Sequence, residues 1–367
     1  MATSIKTRAA VAFSDNSPLT IVELDLQPPA AGQVLVQLKA TGLCHTDLQF
    51  IDGSRNYSDY PIVLGHEGAG VVVECGAGVS SVVPGDHVIP LSIPQCGICK
   101  NCLSGKTNIC QRFIDRPEGV VKFSYEGESV NAFAGLGTFS EYTVVPEYAL
   151  AQVNSKAPLE IMCCLGCAVA TGVGAALYTA DIDVGNSVAV FGIGGIGVNV
   201  IQGAKLAGAE KIIAIDTNPA KKDIALAFGA TDFINASAEA DGLLEAVRVL
   251  SDGGVDVSFE CVGSPRLINT AIEASHIGWG QTVLIGIPSG GQKLTIDPYS
   301  LFNGRKLMSS WAGNTRMRSQ LPEIVEWYLQ GRIELDALVS HRFPLEQINS
   351  GFDLMKTGEA LRSVVVY

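Results

Sequence analysis

Residues 187–216 read SVAVFGIGGIGVNVIQGAKLAGAEKIIAID, and this stretch decides the fold. An apolar run at 188–191 leads into a glycine-rich turn, a helical pattern follows at 195–207, and a second apolar run covers 211–215. This order predicts a strand, a helix and a second strand parallel to the first. It is the repeating unit of a doubly wound α/β sheet.

The pattern continues towards the C-terminus. A second helical pattern covers 219–228, and buried-strand patterns occupy 255–259 and 281–285. Alternation of strands and helices predicts a parallel sheet with helices on its faces.

The turn inside the opening stretch carries the pattern GxGxxG. Its glycines are Gly192, Gly194, Gly195 and Gly197. Gly192 permits a tight turn, Gly194 lets the backbone approach a pyrophosphate, and Gly197 lets the helix pack closely on the strand. This is the Rossmann dinucleotide pattern, although a purely structural glycine-rich turn is the alternative.

Asp216 favours the dinucleotide interpretation, because it ends the next strand. A carboxylate there accepts hydrogen bonds from both ribose hydroxyls and repels a 2′-phosphate. The sequence therefore predicts NAD rather than NADP, and Lys221, one turn into the following helix, can reach the same ribose.

The N-terminal part of the chain has a different texture. Between residues 21 and 153, short β-type runs are interrupted by glycine and proline, at 34–38, 70–73, 87–89 and 142–145. This spacing predicts an irregular, mostly antiparallel β-rich domain. The tail, 335–367, returns to mixed α and β character, and we expect it to rejoin that first domain.

Length and charge limit the classes of function. The chain has 367 residues, which suggests two domains, and its 47% hydrophobic and 17% charged residues exclude a mainly disordered protein. The net charge of −12 argues against nucleic acid and anionic membrane surfaces as partners. A small-molecule partner is the remaining expectation.

Ten cysteines are present, and residues 1–10 contain no apolar segment typical of a secretory signal. We therefore expect a reducing cytoplasm, where clustered cysteines are metal ligands or catalytic groups before they are disulfides. Residues 161–180 carry no charge and are long enough to cross a bilayer. Their three glycines, three cysteines and two threonines favour a helix buried between two domains instead.

One cysteine cluster is contiguous. Four thiols fall within residues 96–110, at Cys96, Cys99, Cys102 and Cys110. These spacings suit one tetrahedral Zn²⁺, and no His, Asp or Glu lies between them. We predict a closed structural zinc site, with a redox CxxC pair as the alternative.

A second set of metal-ligand types is dispersed. It consists of the segments Cys44-His45-Thr46-Asp47, Gly65-His66-Glu67 and Cys163-Cys164-Leu165-Gly166-Cys167. Two thiolates and one imidazole on zinc leave a fourth position open for chemistry. Taken singly, His66 fits a core histidine and Cys167 a small buried residue. Only their coincidence with a dinucleotide motif and a zinc loop favours a catalytic site.

Longer matches give a resemblance. The pattern Gly65-His66-Glu67-x-x-Gly70-x5-Gly76-x-x-Val79 resembles the signature of medium-chain zinc-dependent alcohol dehydrogenases. The chain resembles that family over essentially its whole length. Within that family the chain is most similar to the class III branch, the glutathione-dependent formaldehyde dehydrogenases, and to aryl and primary alcohol dehydrogenases. The class III matches are IPQC (93–96), KTNIC (106–110), TFSEY (138–142), LGC (165–167) and GGVD (253–256).

The resemblance implies an architecture. A β-rich GroES-like catalytic domain would span 1–168 and 312–367, and a Rossmann NAD-binding domain would span 169–311. A homodimer is also implied, built by pairing of Rossmann sheet edges near 281–287.

The resemblance also implies roles. Cys44, His66 and Cys167 would bind catalytic zinc, Glu67 would be an occasional extra ligand, and Asp47 would orient His66. Zinc would lower the pKa of the alcohol, and hydride would pass from its carbon to the nicotinamide.

Three further residues and the spare cysteines follow from the same resemblance. Thr46 would take the hydroxyl proton, and His45 and Arg362 would contact the pyrophosphate. The cysteines without a metal role would pack in the core: Cys75, Cys163, Cys164 and Cys261.

Several positions depart from the class III pattern. Arg55 and Ile114 stand where an acidic residue and an arginine grip the charges of the glutathione adduct. Ser92 replaces an aromatic wall residue, Gln49 replaces a proton-relay histidine, and the loop 111–137 is shorter. These changes predict altered or lost adduct activity and a wider pocket.

The function expected from the sequence is zinc- and NAD-dependent oxidation of a primary alcohol, aromatic and allylic alcohols included, to the aldehyde, and the reverse. The first alternative is an S-(hydroxymethyl)glutathione or formaldehyde dehydrogenase, or an enzyme for another thiol adduct. The second, from another class, is a non-catalytic redox sensor that binds zinc and dinucleotide.

Overall fold

A computed structural model describes residues 4–54, 59–115, 121–239, 242–288, 290–358 and 360–367. The chain divides into two compact units. Unit 1 combines Met1–Cys167 with Arg316–Tyr367, and unit 2 is Ala168–Thr315.

The strands are numbered in chain order. They are β1 (Ile5–Ala12), β2 (Thr20–Leu26), β3 (Gln33–Gly42), β4 (Ile62–Val63), β5 (Glu67–Cys75), β6 (His87–Pro90), β7 (Phe123–Tyr125), β8 (Glu128–Ala132), β9 (Tyr142–Pro146), β10 (Leu150–Gln152), β11 (Ser187–Phe191), β12 (Lys211–Asp216), β13 (Asp232–Asn235), β14 (Val257–Glu260), β15 (Gln281–Leu284), β16 (Lys306–Ser309), β17 (His341–Pro344) and β18 (Ser363–Val366).

The α-helices follow the same numbering. They are α1 (His45–Ile51), α2 (Lys100–Ser104), α3 (Gln111–Asp115), α4 (Leu159–Met162), α5 (Ala168–Gly174), α6 (Gly195–Ala207), α7 (Lys222–Phe228), α8 (Leu243–Leu250), α9 (Pro265–Ala274), α10 (Tyr299–Phe302), α11 (Met317–Leu329) and α12 (Ile348–Thr357). Short 3-10 turns include Phe133–Gly135, Cys163–Gly166 and Pro219–Lys221, and Ala175–Thr179 is a π turn.

Unit 2 holds the parallel sheet that the opening stretch predicts. Its strand order is β13-β12-β11-β14-β15-β16, and neighbouring strands run parallel. This confirms the doubly wound α/β prediction. Helix α6 has the predicted bounds, because Gly194 begins it in extended conformation and Gly208 ends it with φ +97°.

Unit 1 is β-rich, also as predicted. The strands β1-β2-β7-β8-β4 close a barrel, and a second sheet has the order β10-β6-β5-β3-β18-β17, with β9 also paired to β3. Strand β18 lies antiparallel to β3, so residues 363–366 complete a sheet whose other strands include β3, β5 and β6 from the N-terminal part of unit 1.

The uncharged segment 161–180 is buried for most of its length, and every residue of α5 is buried. It is not the single helix expected from sequence, because Cys167 breaks it with φ −139° and ψ −81°. Among the described residues, no single helix has the length and apolarity to span a membrane. The bent pair Leu159–Gly166 and Ala168–Thr179 passes that test together, by length and composition alone.

Candidate functional site

The contiguous cluster brings its four thiols together. One ligand atom from each of Cys96, Cys99, Cys102 and Cys110 lies within 4.8 Å of the others. The Sγ atoms of Cys96 and Cys102 are 4.0 Å apart, and those of Cys99 and Cys110 are 3.9 Å apart. Tetrahedral zinc with its usual bonds to sulfur separates two thiolates by roughly 3.8 Å. The cluster therefore fits one zinc ion with no open position.

Backbone amides support the thiolates of this cluster. The amides of Gln111 and Cys102 each donate to Cys99 Sγ at 3.4 Å. These donors lower the pKa of Cys99 to about 6, so its thiolate form is favoured near neutral pH. The loop has little apolar material of its own, since Ile98 and Leu103 are both exposed.

The dispersed residues also meet. Ligand atoms of Cys44, His66, Glu67 and Cys167 lie within 4.8 Å of one another, all within unit 1. Cys44 precedes α1, His66 and Glu67 lie at the start of β5, and Cys167 occupies the helix break.

Two neighbouring cysteines stay outside this group. Cys163 donates from Sγ to the Glu160 carbonyl at 3.3 Å and faces the Cys164 Sγ at 4.0 Å. Both are fully buried, which is how a packing cysteine behaves.

Asp47 fixes the orientation of His66. Its Oδ1 lies 3.2 Å from His66 Nδ1 and accepts the Gly65 amide at 3.0 Å. Nε2 of the imidazole is therefore the nitrogen left for a metal. Burial lowers the pKa of His66, but Asp47 and Cys44 outweigh it and hold that pKa well above its ordinary value.

Charge around Cys44 favours a thiolate. Its contact with Cys167 lowers its pKa well below the usual value, against the effect of burial, and His66 and Arg362 act in the same direction. A thiolate pressed against a second thiol and an imidazole is the donor set that zinc takes in open sites.

Glu67 and Arg362 form a buried ion pair beside these ligands. Arg362 Nη1 lies 3.3 Å from Glu67 Oε1 and donates to the Leu43 carbonyl at 3.0 Å. In the described part of the chain, neither Glu67 oxygen accepts a hydrogen bond. Burial raises the pKa of Glu67 to about 7. Arg362 is only 7% exposed and contacts Glu67, and its predicted contact with the pyrophosphate stays a prediction.

The other predicted residues of unit 1 lie on α1, on α3 and in the segment after β6. His45 is exposed and Thr46 is half-buried in the first turn, while Gln49 is half-buried one turn later. Ser92 is half-buried, and Ile114 is 55% exposed on α3. Arg55 lies outside the described residues.

Phe133 was not found by sequence reasoning. Its ring meets the His66 imidazole edge-on with centroids 5.4 Å apart, and the Phe50 ring lies 4.7 Å from it. A left-handed Ala134 with φ 55° follows it in the turn. No spacing rule marks such a residue, because its neighbour in space is 67 positions away in sequence.

The dinucleotide motif occupies the start of α6. Gly192 has φ +92°, an added Cβ on Gly197 would collide with the Gly192 carbonyl, and an added Cβ on Gly194 would have no heavy atom within 4 Å. The helix begins without a side-chain cap, and the space beside Gly194 is open. That arrangement fits a pyrophosphate.

Asp216 lies beside this turn. Its Oδ2 accepts the Ile193 amide at 2.7 Å, and its Oδ1 accepts the Asn218 amide at 2.8 Å. Lys221 ends the following 3-10 turn and is half-buried. The structure thus brings Asp216 to the phosphate turn, as a ribose-binding carboxylate requires.

Comparison with known proteins gives the family. The alcohol dehydrogenase GroES-like domain matches residues 30–155, and the zinc-binding dehydrogenase family matches residues 195–330. An S-(hydroxymethyl)glutathione dehydrogenase of Synechocystis sp. is 48% identical over 99% of this chain and 100% of its own length. A class-3 alcohol dehydrogenase of Cereibacter sphaeroides is 46% identical over 99% and 100%.

A solved structure is also similar. The benzyl alcohol dehydrogenase of Acinetobacter calcoaceticus superposes with a TM-score of 0.90 at 30% identity, covering 99% of each chain. Fold, metal clusters and relatives agree: the chain belongs to the medium-chain zinc-dependent alcohol dehydrogenase family and is a zinc- and NAD-dependent oxidoreductase.

Proposed function

We propose that this enzyme oxidises primary alcohols, aromatic and allylic ones included, to aldehydes with NAD as acceptor, and catalyses the reverse reaction. Unit 1 is the catalytic unit and unit 2 binds NAD. The domain bounds expected from the sequence, 1–168 with 312–367 and 169–311, stay a prediction; the two compact units divide after Cys167 and after Thr315.

The aromatic wall at the open cluster carries this proposal. Phe133 meets His66 edge-on and is backed by the buried Phe50. An apolar ring beside a metal ligand favours an apolar group on the reacting carbon. On α3, Ile114 offers no charge to a glutathione carboxylate, which supports the same choice.

Cys44, His66 and Cys167 would hold the catalytic zinc, and Cys96, Cys99, Cys102 and Cys110 the structural zinc. When bound, zinc supplies a Lewis acid that eases loss of the hydroxyl proton, and NAD accepts the hydride. Asp47 holds the His66 ring through Nδ1 and keeps Nε2 directed at the ligand group.

Proton removal falls to α1. We assign the Thr46 hydroxyl as the first acceptor, since it lies two residues after Cys44 and is half-buried. Glu67 is the candidate extra ligand, and Arg362 balances its charge. We assign four features to NAD binding: the turn at residues 192–197, Asp216, Lys221 and the exposed His45.

We also propose a homodimer and a cytoplasmic location. All ten cysteines are free thiols, which suits a reducing compartment. The sequence placed the dimer contact at 281–287, but β15 is paired on both sides, with β14 and β16. Both sides of β15 are therefore hydrogen-bonded within its own sheet. In the described sheet β16 is at an edge, so we move the proposed contact there.

A second candidate is S-(hydroxymethyl)glutathione dehydrogenase. The relatives at 46–48% identity carry that name or the class-3 name, which favours the thiol adduct as substrate. The aromatic wall and Ile114 favour the first candidate.

Steady-state kinetics separate the two. With purified enzyme and NAD, we expect benzyl and cinnamyl alcohol to give a higher kcat/KM than S-hydroxymethylglutathione. Phe133→Ala should lower kcat/KM for benzyl alcohol by roughly tenfold, the effect of losing one aromatic contact of about 1.4 kcal/mol.

Ile114→Arg provides the complementary test. It should raise activity on the glutathione adduct and leave activity on benzyl alcohol unchanged. Ile98→Arg, a matched change at an exposed apolar residue of the zinc loop, should change neither activity. A wild-type enzyme that prefers the adduct would overturn the primary-alcohol proposal in favour of the second candidate.

A further inference from the structure

Glu260, the last residue of β14, has an unusual set of partners. The side chain is fully buried. Its Oε1 accepts the amides of Val262 at 3.1 Å, Gly263 at 2.9 Å and Ser264 at 3.3 Å. Its Oε2 also accepts the Gly263 amide, at 3.0 Å. One carboxylate therefore holds three successive amides of the loop that follows it.

No basic side chain forms an ion pair with Glu260 in the part of the chain described. Backbone amide dipoles stabilise the carboxylate in place of a basic side chain. The loop leads directly into α9, whose N-cap is Ser264, and the N-terminus of a helix carries partial positive charge. Burial raises the pKa of Glu260, and the three amides oppose that shift. Loss of both acceptor oxygens would leave the buried Gly263 amide unpaired, which is costly.

The loop held by Glu260 contacts the phosphate turn. An added Cβ on Gly192 would lie 2.5 Å from Val262 Cγ2, so Val262 packs directly on that glycine. On its other side the loop meets the segment after β15, where an added Cβ on Gly263 would lie 2.5 Å from the Ile287 carbonyl. The Glu260 carbonyl accepts the Ile285 and Gly286 amides, both at 2.9 Å.

These contacts lie at the functional edge of the sheet. Strands β11 and β14 are parallel neighbours, so the turn at Gly192 and the loop at 261–264 emerge at the same edge. Ligands of doubly wound sheets bind at that edge. Val262 is 52% exposed there, although it is apolar.

We propose that Glu260 is a positioning residue for NAD. Its carboxylate fixes the loop 261–264 against Gly192, so that the phosphate turn and the exposed Val262 form one rigid binding edge. The inference rests on the dinucleotide site of the proposed function and not on the identity of the alcohol.

A matched pair of variants on one strand tests it. Asp256 lies just before β14, at its opposite end, and accepts the Ser187 amide at 2.7 Å and Trp279 Nε1 at 2.8 Å. Glu260→Gln and Asp256→Asn each replace a hydrogen-bonded carboxylate by an amide. The readout is the Kd of NADH by fluorescence titration without alcohol, with the thermal midpoint measured beside it.

We expect Glu260→Gln to raise the Kd of NADH by about tenfold, since the carboxamide carries no negative charge and its NH₂ would face the Gly263 amide as a second donor in place of Oε2. Asp256→Asn should stay within about twofold of wild type even where its thermal midpoint falls equally. A Glu260→Gln enzyme with wild-type Kd overturns the proposal. So does an Asp256→Asn enzyme that weakens NADH binding to the same extent.

Hydrogen exchange of the wild-type enzyme covers the case in which Glu260→Gln does not fold. The amides of 262–264 should be protected without cofactor, and more so with NADH. Fast exchange of these amides without cofactor contradicts the proposal. An enzyme that shows the Glu260 effect on NADH but oxidises no alcohol would instead contradict the proposed function alone.

Discussion

The two cysteine clusters of unit 1 are built in opposite ways. The closed cluster takes its four ligands from residues 96–110, and three of them are only half-buried. The proposed ligands of the open cluster are Cys44, His66 and Cys167, and its histidine is held by the fully buried Asp47. One site is local in sequence and near the surface, and the other is assembled by the fold.

The two clusters differ in whether the metal or the protein fold orders the ligands. A loop with few apolar contacts depends on its metal for order. A site whose ligands come from separate, buried elements is positioned before the metal arrives, by packing and by hydrogen bonds such as Asp47 to His66. Removal of a ligand should therefore cost activity at the open cluster and stability at the closed one.

The largest expected effect is on activity. His66→Ala should lower kcat/KM by roughly a thousandfold, equal to about 4 kcal/mol of transition-state stabilisation, because the zinc loses its imidazole. Metal analysis should fall from two zinc ions per chain to one, with little change in the thermal midpoint. His341→Ala, at an exposed histidine, is the control. Two zinc ions in His66→Ala would show that the imidazole is not a ligand.

The buried ion pair gives the next largest effect. Arg362→Met should lower the free energy of unfolding by about 3–5 kcal/mol, because Glu67 is left as an uncompensated buried charge. Arg342→Met breaks the exposed pair with Glu160, at 3.1 Å, and serves as the matched control. We expect it to cost no more than about 1 kcal/mol in urea unfolding.

The double variant Glu67→Gln/Arg362→Met should recover part of that loss, since it buries no net charge. Equal costs for the two single arginine variants would mean that the open cluster does not depend on the charge balance seen here.

At the closed cluster, Cys102→Ser should act on stability. We expect the thermal midpoint to fall by roughly 5–10 °C, as the loop loses its metal, and residues 96–115 to become sensitive to protease. Initial rates at low temperature should be close to wild type. Cys75→Ser, at a half-buried cysteine outside both clusters, should leave the zinc content at two. An inactive but thermally stable Cys102→Ser enzyme would reverse the roles assigned to the clusters.

The smallest effect is expected at Cys163. Cys163→Ala removes a buried Sγ that donates to Glu160 O, at a cost of about 1 kcal/mol, and should leave both zinc ions in place. Loss of a zinc ion in this variant would show that Cys163 is also a zinc ligand.

The same contrast explains what the sequence could predict. The four-cysteine loop and the turn at Gly192 were found from spacing, since their residues act on near neighbours. Cys44, His66 and Cys167 required a resemblance to a known family, because spacing carries no information on which distant residues meet. Phe133 and Glu260 were missed. Phe133 contacts a residue 67 positions away in the sequence, and Glu260 resembles any acidic residue at a strand end.

Burial also hid one local feature. The uncharged run 161–180 has the composition of a single helix, and the break at Cys167 is visible only in its backbone angles. At Cys167, a proposed metal ligand, tertiary contacts override the helix propensity of the surrounding residues.

The position of β18 in its sheet has a consequence for biosynthesis. This strand lies between β3 and β17, yet its residues, Ser363–Val366, leave the ribosome after every other strand of the sheet. Unit 2 is continuous in sequence, from Ala168 to Thr315, so it can fold while unit 1 still lacks two strands, β17 and β18. Until then, the β3 edge that receives Val364 and Val366 remains unpaired in the nascent chain. The half of the enzyme synthesised first is therefore the half completed last, and its exposed edge is where a chaperone would be needed.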